Sequence, residues 1–384
     1  MLFKIFFITL LIGLNLYSLD ILSNTQKKVL ELSSQKADKD SAKLKIDWIN
    51  PITYTYTYND DEKSGVSKTS TLSISQPIFR SGGIYSAIKY ANNIEASSKL
   101  SVEIQKKELV KQALNIAFNI KKLDIQIKQQ KLQISNAKID VKNKKESVFN
   151  GLLDISFLNN AIINLNSKRS QLLDLRYNKQ SLINSLSNLS TLSYQDMELP
   201  QFKQISKEKF TKHNIYIKKE KTDIKSTKNM RWITTAKYLP SVNLTYNYTK
   251  NHTLDSSDKS YGFNIVVPLD FKSFDDSGSS KIAYLKAKEN LKIKQLQENN
   301  ILKTSLLKIS MLDDKINLTK ENIIAYNELV SQTQELKDAG IKTQDDLTIL
   351  QNSTQIEKLN LKIYNIDKQI EFLEIYARVY NDKI

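Results

Sequence analysis

The stretch from Ile84 to Phe149 constrains this chain more than any other, because it holds neither proline nor glycine and gives a helix no place to stop. Apolar residues recur in it at spacings of four and three: Leu109, Ala113, Ile116, Ile120, Leu123, Ile127, Ile134, Ala137, Val141 and Val148, broken only by Gln130 and Lys144. A second row, Phe118, Ile125, Leu132 and Ile139, repeats every seven residues. A sustained heptad keeps one stripe against a partner helix in a left-handed supercoil. Two offset stripes imply two partners. At about 1.5 Å per residue the rod is about 100 Å long, far beyond the roughly 10–14 residues of a globular helix. It is built to span a distance.

Composition narrows the functional classes. The 384 residues include only 8 Gly and 5 Pro, as long helices require. The formal charge of +16 is spread along every helix and mixed with Glu and Asp, which describes solvated faces and no nucleic-acid groove. The absence of cysteine excludes disulfides, thiolate metal sites and lipidation at an N-terminal cysteine. His213 and His252 have no ligand spacing, and there is no glycine-rich phosphate loop or nucleophile elbow. No cofactor, metal or enzymatic activity is expected. Residues 1–18 have the form of a signal peptide: Lys4, an apolar run from Ile5 to Leu16, and the small residue Ser18 as cleavage position. That run is shorter than the roughly 20 residues of a membrane span.

The chain then repeats one plan twice. In the first repeat (19–200) a helix over Ile21–Ile46 precedes a strand hairpin over 52–79, where Ile52 to Tyr58 alternates aromatic and hydroxyl residues and Leu72, Ile74 and Ile78 alternate with Ser and Thr. The polar loop of this hairpin is expected at Asn59–Ser67. A helical hairpin follows over 84–192, reversing near Gly151 and returning through Leu158, Leu165, Leu172, Leu182 and Leu189. The second repeat (201–384) has a helix over Ser206–Lys237 and a strand hairpin over 241–271 with its loop at Lys250–Ser260. Its helical hairpin covers 280–381, begins after a Ser/Gly break at Asp275–Ser280 and reverses at Gly340. Pro51 and Pro240, like Gly151 and Gly340, are 189 residues apart.

Strands that alternate in this way suit either a lipid-facing sheet or a soluble sheet with one wet face. In lipid, four strands from one chain leave open edges, and every backbone group must be satisfied by closure. Three chains would supply twelve strands, an even number in the range of known barrels. The expected fold class is therefore α plus transmembrane β. It is a tandem duplication of strand hairpin and long helical hairpin, forming a homotrimeric twelve-stranded barrel with six helical hairpins around one axis. Lipid would face Tyr54, Tyr56, Tyr58, Leu72, Ile74, Val242, Leu244, Tyr246, Tyr248, Phe263, Ile265 and Val267.

Three segments carry a family resemblance: Ser75 to Gly83 before the first rod, Phe149 to Ala161 at the first reversal, and Ala339 to Leu347 at the second. Together, and at matching offsets, they resemble the TolC-like outer-membrane efflux proteins across nearly the whole mature chain. The resemblance implies a trimeric barrel in outer-membrane lipid, continued by an α-helical tunnel as a long periplasmic extension. It implies passive conduction of small molecules or drugs, in partnership with a periplasmic adaptor and an inner-membrane pump or ABC exporter. Type I protein secretion is the second reading and an exported structural coiled coil the third. The resemblance also implies adaptor docking at Gly151, Leu152, Ser156, Gly340, Ile341 and Thr343. It places Lys342 where relatives have a basic residue that bonds across to the first turn, opposite Ser156. Phe157 stands where they have a carboxylate, and Asp154 is its substitute. Asp346, with Asp345 beside it, matches a constricting aspartate ring. Many relatives carry an equatorial tail after the last helix; with Ile384 close behind that helix, a thinner belt is expected.

Overall fold

The computed structural model describes residues 21–63 and 65–380, so the expected signal segment at 1–18 lies outside the described residues. The elements run α1 (Asn24–Ile46), β1 (Thr53–Asp61), β2 (Gly65–Phe79), α2 (Gly83–Phe149), α3 (Ile155–Ser187), α4 (Lys207–His213), α5 (Ile215–Ala236), β3 (Ser241–Asn251), β4 (Ser256–Val266), α6 (Lys272–Asp338) and α7 (Gln344–Tyr376). The four bounds of α6 and α7 each fall 189 positions after those of α2 and α3 (83 to 272, 149 to 338, 155 to 344, 187 to 376). Among the described residues no helix is long and apolar enough to cross a membrane.

The chain divides into two compact units, of which α2 and α6 contribute to both. One comprises Leu30–Ile104 and Ile215–Glu298. Its sheet is antiparallel in the order β1-β2-β3-β4, so the two hairpins join through β2 and β3, and β1 and β4 are left as edges. Below the sheet, α1 is fixed to α2 by charge. Glu95 accepts from Ser41 (3.0 Å), Lys45 (2.9 Å) and Lys99 (2.9 Å), and Lys99 also reaches Asp38 at 2.7 Å. Lys99 first, then Lys45 and Ser41, hold the Glu95 carboxyl down at about 2.

The other unit comprises the described parts of Met1–Val29, Gln105–Asn214 and Asn299–Ile384. Here α2 has two partners in its own chain, as its two stripes require. Towards α3, Gln130 donates to Lys168 O (2.8 Å) and Lys179 meets Asp124 (2.6 Å). Towards α7, Lys122 meets Asp367 (2.7 Å), Gln129 bonds Asn360 (2.6 Å) and Asn352 bonds Asn136 (2.7 Å). On α2, just before these polar rungs, Val110, Ala113, Leu114, Ala117, Phe118 and Ile120 are all buried.

Several boundaries differ from the sequence reading. α6 starts at Lys272, not 280, and passes through the Ser/Gly cluster. Asp270 receives Lys272 N (2.9 Å) on its side chain and Ser273 N (3.1 Å) on its carbonyl, and Asp275 in the first turn favours the positive helix end. Those contacts offset a Gly278 that costs about 1 kcal/mol relative to alanine. The return helices stop at Ser187 and Tyr376, where Asn188 and Ala377 cap them. The expected 206–237 helix is split at Asn214, which leaves helical geometry (ψ 121) and bridges to Val379. Both strand loops are shorter than their polarity suggests, because the ladder continues to Asp61↔Gly65 and Asn251↔Ser256. Backbone pairing does not need apolar side chains.

Candidate functional site

The two reversals of the helical hairpins are built alike up to one point. At the first, Gly151 N bonds Val148 O (3.0 Å) and Leu152 N bonds Ser147 O (2.8 Å); at the second, Gly340 N bonds Lys337 O (2.9 Å) and Ile341 N bonds Leu336 O (2.8 Å). Each is a Schellman closure with glycine in the left-handed region, φ 71° and 79°. A Cβ at either glycine would meet nothing within 4 Å, so backbone conformation alone calls for glycine there. The closure pushes the next side chain outward. Leu152 is 74% exposed and Ile341 69%, and Phe149 beside the first turn is 90% exposed.

Beyond the glycines the turns diverge. Asp154 caps α3 alone, accepting from Ser156 N at 2.8 Å. The Ser156 hydroxyl and backbone hold the Asp154 carboxyl below its usual value. Thr343 caps α7 in a reciprocal box. Its Oγ1 accepts from Asp346 N (3.1 Å), while Asp346 Oδ2 accepts from Thr343 N (3.0 Å) and Oγ1 (2.9 Å). Thr343, and more weakly Lys342, hold the Asp346 carboxyl low. Phe157 takes the position equivalent to Asp346, where no reciprocal bond is open to it, and Lys144 Nζ lies 5.7 Å from its ring centre.

Asp154 with Ser156, and Thr343 with Asp346, are therefore brought together, each pair within its own turn. Lys342 makes no ion pair among the described residues and does not meet Ser156 or Asp154. Asp345 faces Lys142 of α2 at 2.9 Å, which raises the lysine's pKa. The sequence reading missed Lys142 because the antiparallel α2–α7 register, which joins residues 203 positions apart, has no local signal. The Asp346 contact did have one, the Thr-x-x-Asp pattern itself.

The sheet is a second candidate surface. The register unites Tyr54, Tyr56, Tyr58, Leu72, Ile74, Val242, Leu244, Tyr246, Tyr248, Phe263 and Ile265 on one face, with pairs such as Tyr54↔Leu72, Ile74↔Tyr246 and Leu244↔Phe263. The opposite face is Thr, Ser and Asn, as in the row Thr53–Ser73–Asn247–Ser260. Two expectations need correction. Val267 lies one residue past β4, outside the ladder. A bulge after Pro77 puts Phe79, not Ile78, opposite Val242. Pro77 lacks an N–H for the ladder, and the bulge re-aims the strand there.

Among the described residues no group of three or more His, Asp or Glu is placed to hold a metal ion. No family model and no curated relative matches the sequence. Solved structures do match in fold. The outer membrane protein VceC of Vibrio cholerae aligns with a TM-score of 0.75 at 14% identity, over 96% of this chain and 97% of that one. The Campylobacter jejuni CmeC outer membrane channel gives 0.75 at 14%, over 95% and 84%. The open state of the Neisseria gonorrhoeae MtrE outer membrane channel gives 0.70 at 11%, over 97% and 90%. The duplicated strand and helix hairpins of this chain thus have the fold of the TolC-like outer-membrane channels.

Proposed function

We propose that three copies of this chain close into an outer-membrane barrel continued by a periplasmic helical tunnel. The trimer acts as the passive exit duct of a tripartite export system carrying small molecules or drugs. The observation that carries this reading is the four-stranded sheet, with one aromatic-aliphatic face, one hydroxyl and amide face, and an unpaired strand at each side. Such a sheet satisfies its backbone in lipid only by joining copies of itself, with the apolar face outward and the Thr/Ser/Asn face lining water.

The helices support the same assembly. On α6, buried Leu302, Ile309, Leu312 and Ile316 occupy one side. Exposed Leu307, Met311, Leu318, Leu329 and Leu336 fall within roughly 40° of one another on the other, at about 100° per residue. One helix with two apolar faces, one of them uncovered in the protomer, fits a stave with a neighbour from another copy. Exposed Leu152 and Ile341 at the equivalent place in both turns suit an adaptor that grips six near-identical tips. The gate function falls to the second turn, where Lys142 and the Asp345–Asp346 pair hold the start of α7. An inner-membrane pump would supply the energy.

The test has two parts. Detergent-solubilised protein should have the mass of three chains and open steady conductance in a planar bilayer. A deletion strain should become more sensitive to toxic small molecules. A single-chain mass would refute the barrel, whereas unchanged sensitivity with lost protein secretion would replace the cargo.

A further inference from the structure

Along each strand of the apolar face the side chains change in kind, and the changes align when one steps two residues deeper on each successive strand. The outermost diagonal is Asp60, Lys68, Lys250 and Lys259; the next is Tyr58, Ser70, Tyr248 and Tyr261. Below them come Tyr56, Leu72, Tyr246 and Phe263, then Tyr54, Ile74, Leu244 and Ile265. A charged line, a tyrosine line and then a mixed zone of tyrosine and hydrocarbon thus follow one another along lines oblique to the strands, as tilted strands of a barrel require. Ser70, the exception in the tyrosine layer, is buried and bonded to Tyr54 OH (3.0 Å) and His252 Nε2 (2.8 Å), so it opens no polar gap.

Three lysines consequently sit on a lipid-type face at one level, two of them over tyrosine rings. Lys68 Nζ is 5.8 Å from the Tyr58 ring centre and Lys259 Nζ 5.8 Å from that of Tyr248. Lys250 is engaged by Asp255, but Lys68 and Lys259 form no ion pair among the described residues. A lysine in mid-membrane costs about 2–4 kcal/mol and one at the interface about 0–1, so the charged line marks the headgroup level at the turn end of the sheet. Two uncompensated ammonium groups there, with only Asp60 as an acid in the same line, complement an anion carried at the membrane surface.

We propose that Lys68 and Lys259 form a binding band for the phosphate groups of outer-leaflet lipid, with the tyrosine layer beneath them seated against the upper acyl region. This rests on the barrel reading of the sheet. The test uses the full-length trimer and the double variant Lys68→Gln/Lys259→Gln in vesicles of phosphatidylcholine with or without phosphatidic acid. Lipid kept through mild extraction is read by native mass spectrometry. Wild type should retain phosphatidic acid, and the variant should retain roughly thirtyfold less, as the loss of two interfacial lysines implies. Equal retention by both, or retention by neither, overturns the lysine band. Displacement of the lipid by inorganic phosphate overturns its assignment to lipid. Flotation with phosphatidylcholine alone separates the two readings. A wild type that floats without phosphatidic-acid preference loses only the band, and one that never floats loses the barrel as well.

Discussion

The two helix reversals have the same glycine closure and different caps, and the contrast separates what duplication preserves from what function can vary. The closure depends on backbone geometry, so Gly151 and Gly340 have identical roles. The cap depends on side chains, and here the copies parted: a lone Asp154 with Phe157 in the first, a Thr343–Asp346 box with a Lys142–Asp345 tether in the second. The second turn is held by its own helix and by α2, the first by its own helix with one lysine over a ring. In the proposed duct, the element held by more breakable polar contacts is the one suited to move.

The largest expected effect tests the shared part. Gly151→Val and Gly340→Val each force a β-branched residue into the left-handed region, costing about 1–2 kcal/mol. The two losses should match in amide exchange of the adjoining helix ends, because open space surrounds both glycines. Unequal losses would mean that the closures are not equivalent. Next, Thr343→Val should loosen the start of α7 by about 1 kcal/mol, while the exchange of α3 stays unchanged. The exchange of 155–158 amides should slow when Asp154→Thr and Phe157→Asp give the first turn the second's box; no change would show that the caps do not account for the difference.

Acid provides a smaller contrast. Both cap carboxyls lie below the usual 3.8 when folded, so their contribution is complete above that pH and fades as the pH falls beneath it. Glu95, brought from 4.5 to about 2, should hold α1 on α2 fully above about pH 4.5, progressively less as the pH falls below it, and no longer once the pH is beneath about 2. Amide exchange of α1 across that window checks it. The smallest effect is that of Lys142→Gln. An exposed pair contributes little, so exchange at 344–348 should rise no more than roughly fivefold, with none at the first turn. A change at both turns would break the assignment of this tether to the second.

The fold was legible wherever one periodicity sufficed. Heptads marked the rods, alternation marked the strands, and the 189-residue spacing of Gly151 and Gly340 marked the duplication. It was less legible where a side chain's partner lies elsewhere in the chain. Lys142 meets Asp345 only because α2 and α7 pack antiparallel. Ser/Gly-rich 275–280 reads as a break until the upstream Asp270 cap is seen. Asp346 has a local signature that fits both a capping box and a constriction ring, and only geometry shows its carboxylate already engaged by Thr343. Lys68, Lys250 and Lys259 look like ordinary loop charges in the sequence; the register makes them one line.

The open sides of the sheet have a consequence for time as well as for shape. β1 presents nine residues and β4 eleven, without a strand beyond either. Charges interrupt only their turn ends, at Asp60, Asp61, Asp258 and Lys259, and the rest of each edge is bare. An unguarded edge is a template for any extended chain, so on the proposed trimer a lone copy is at risk until it meets two others. The rate of that meeting falls with dilution, whereas misfolding with a stray strand needs only one wrong encounter. The margin between productive and wasted synthesis is therefore set by how long a newly made copy waits.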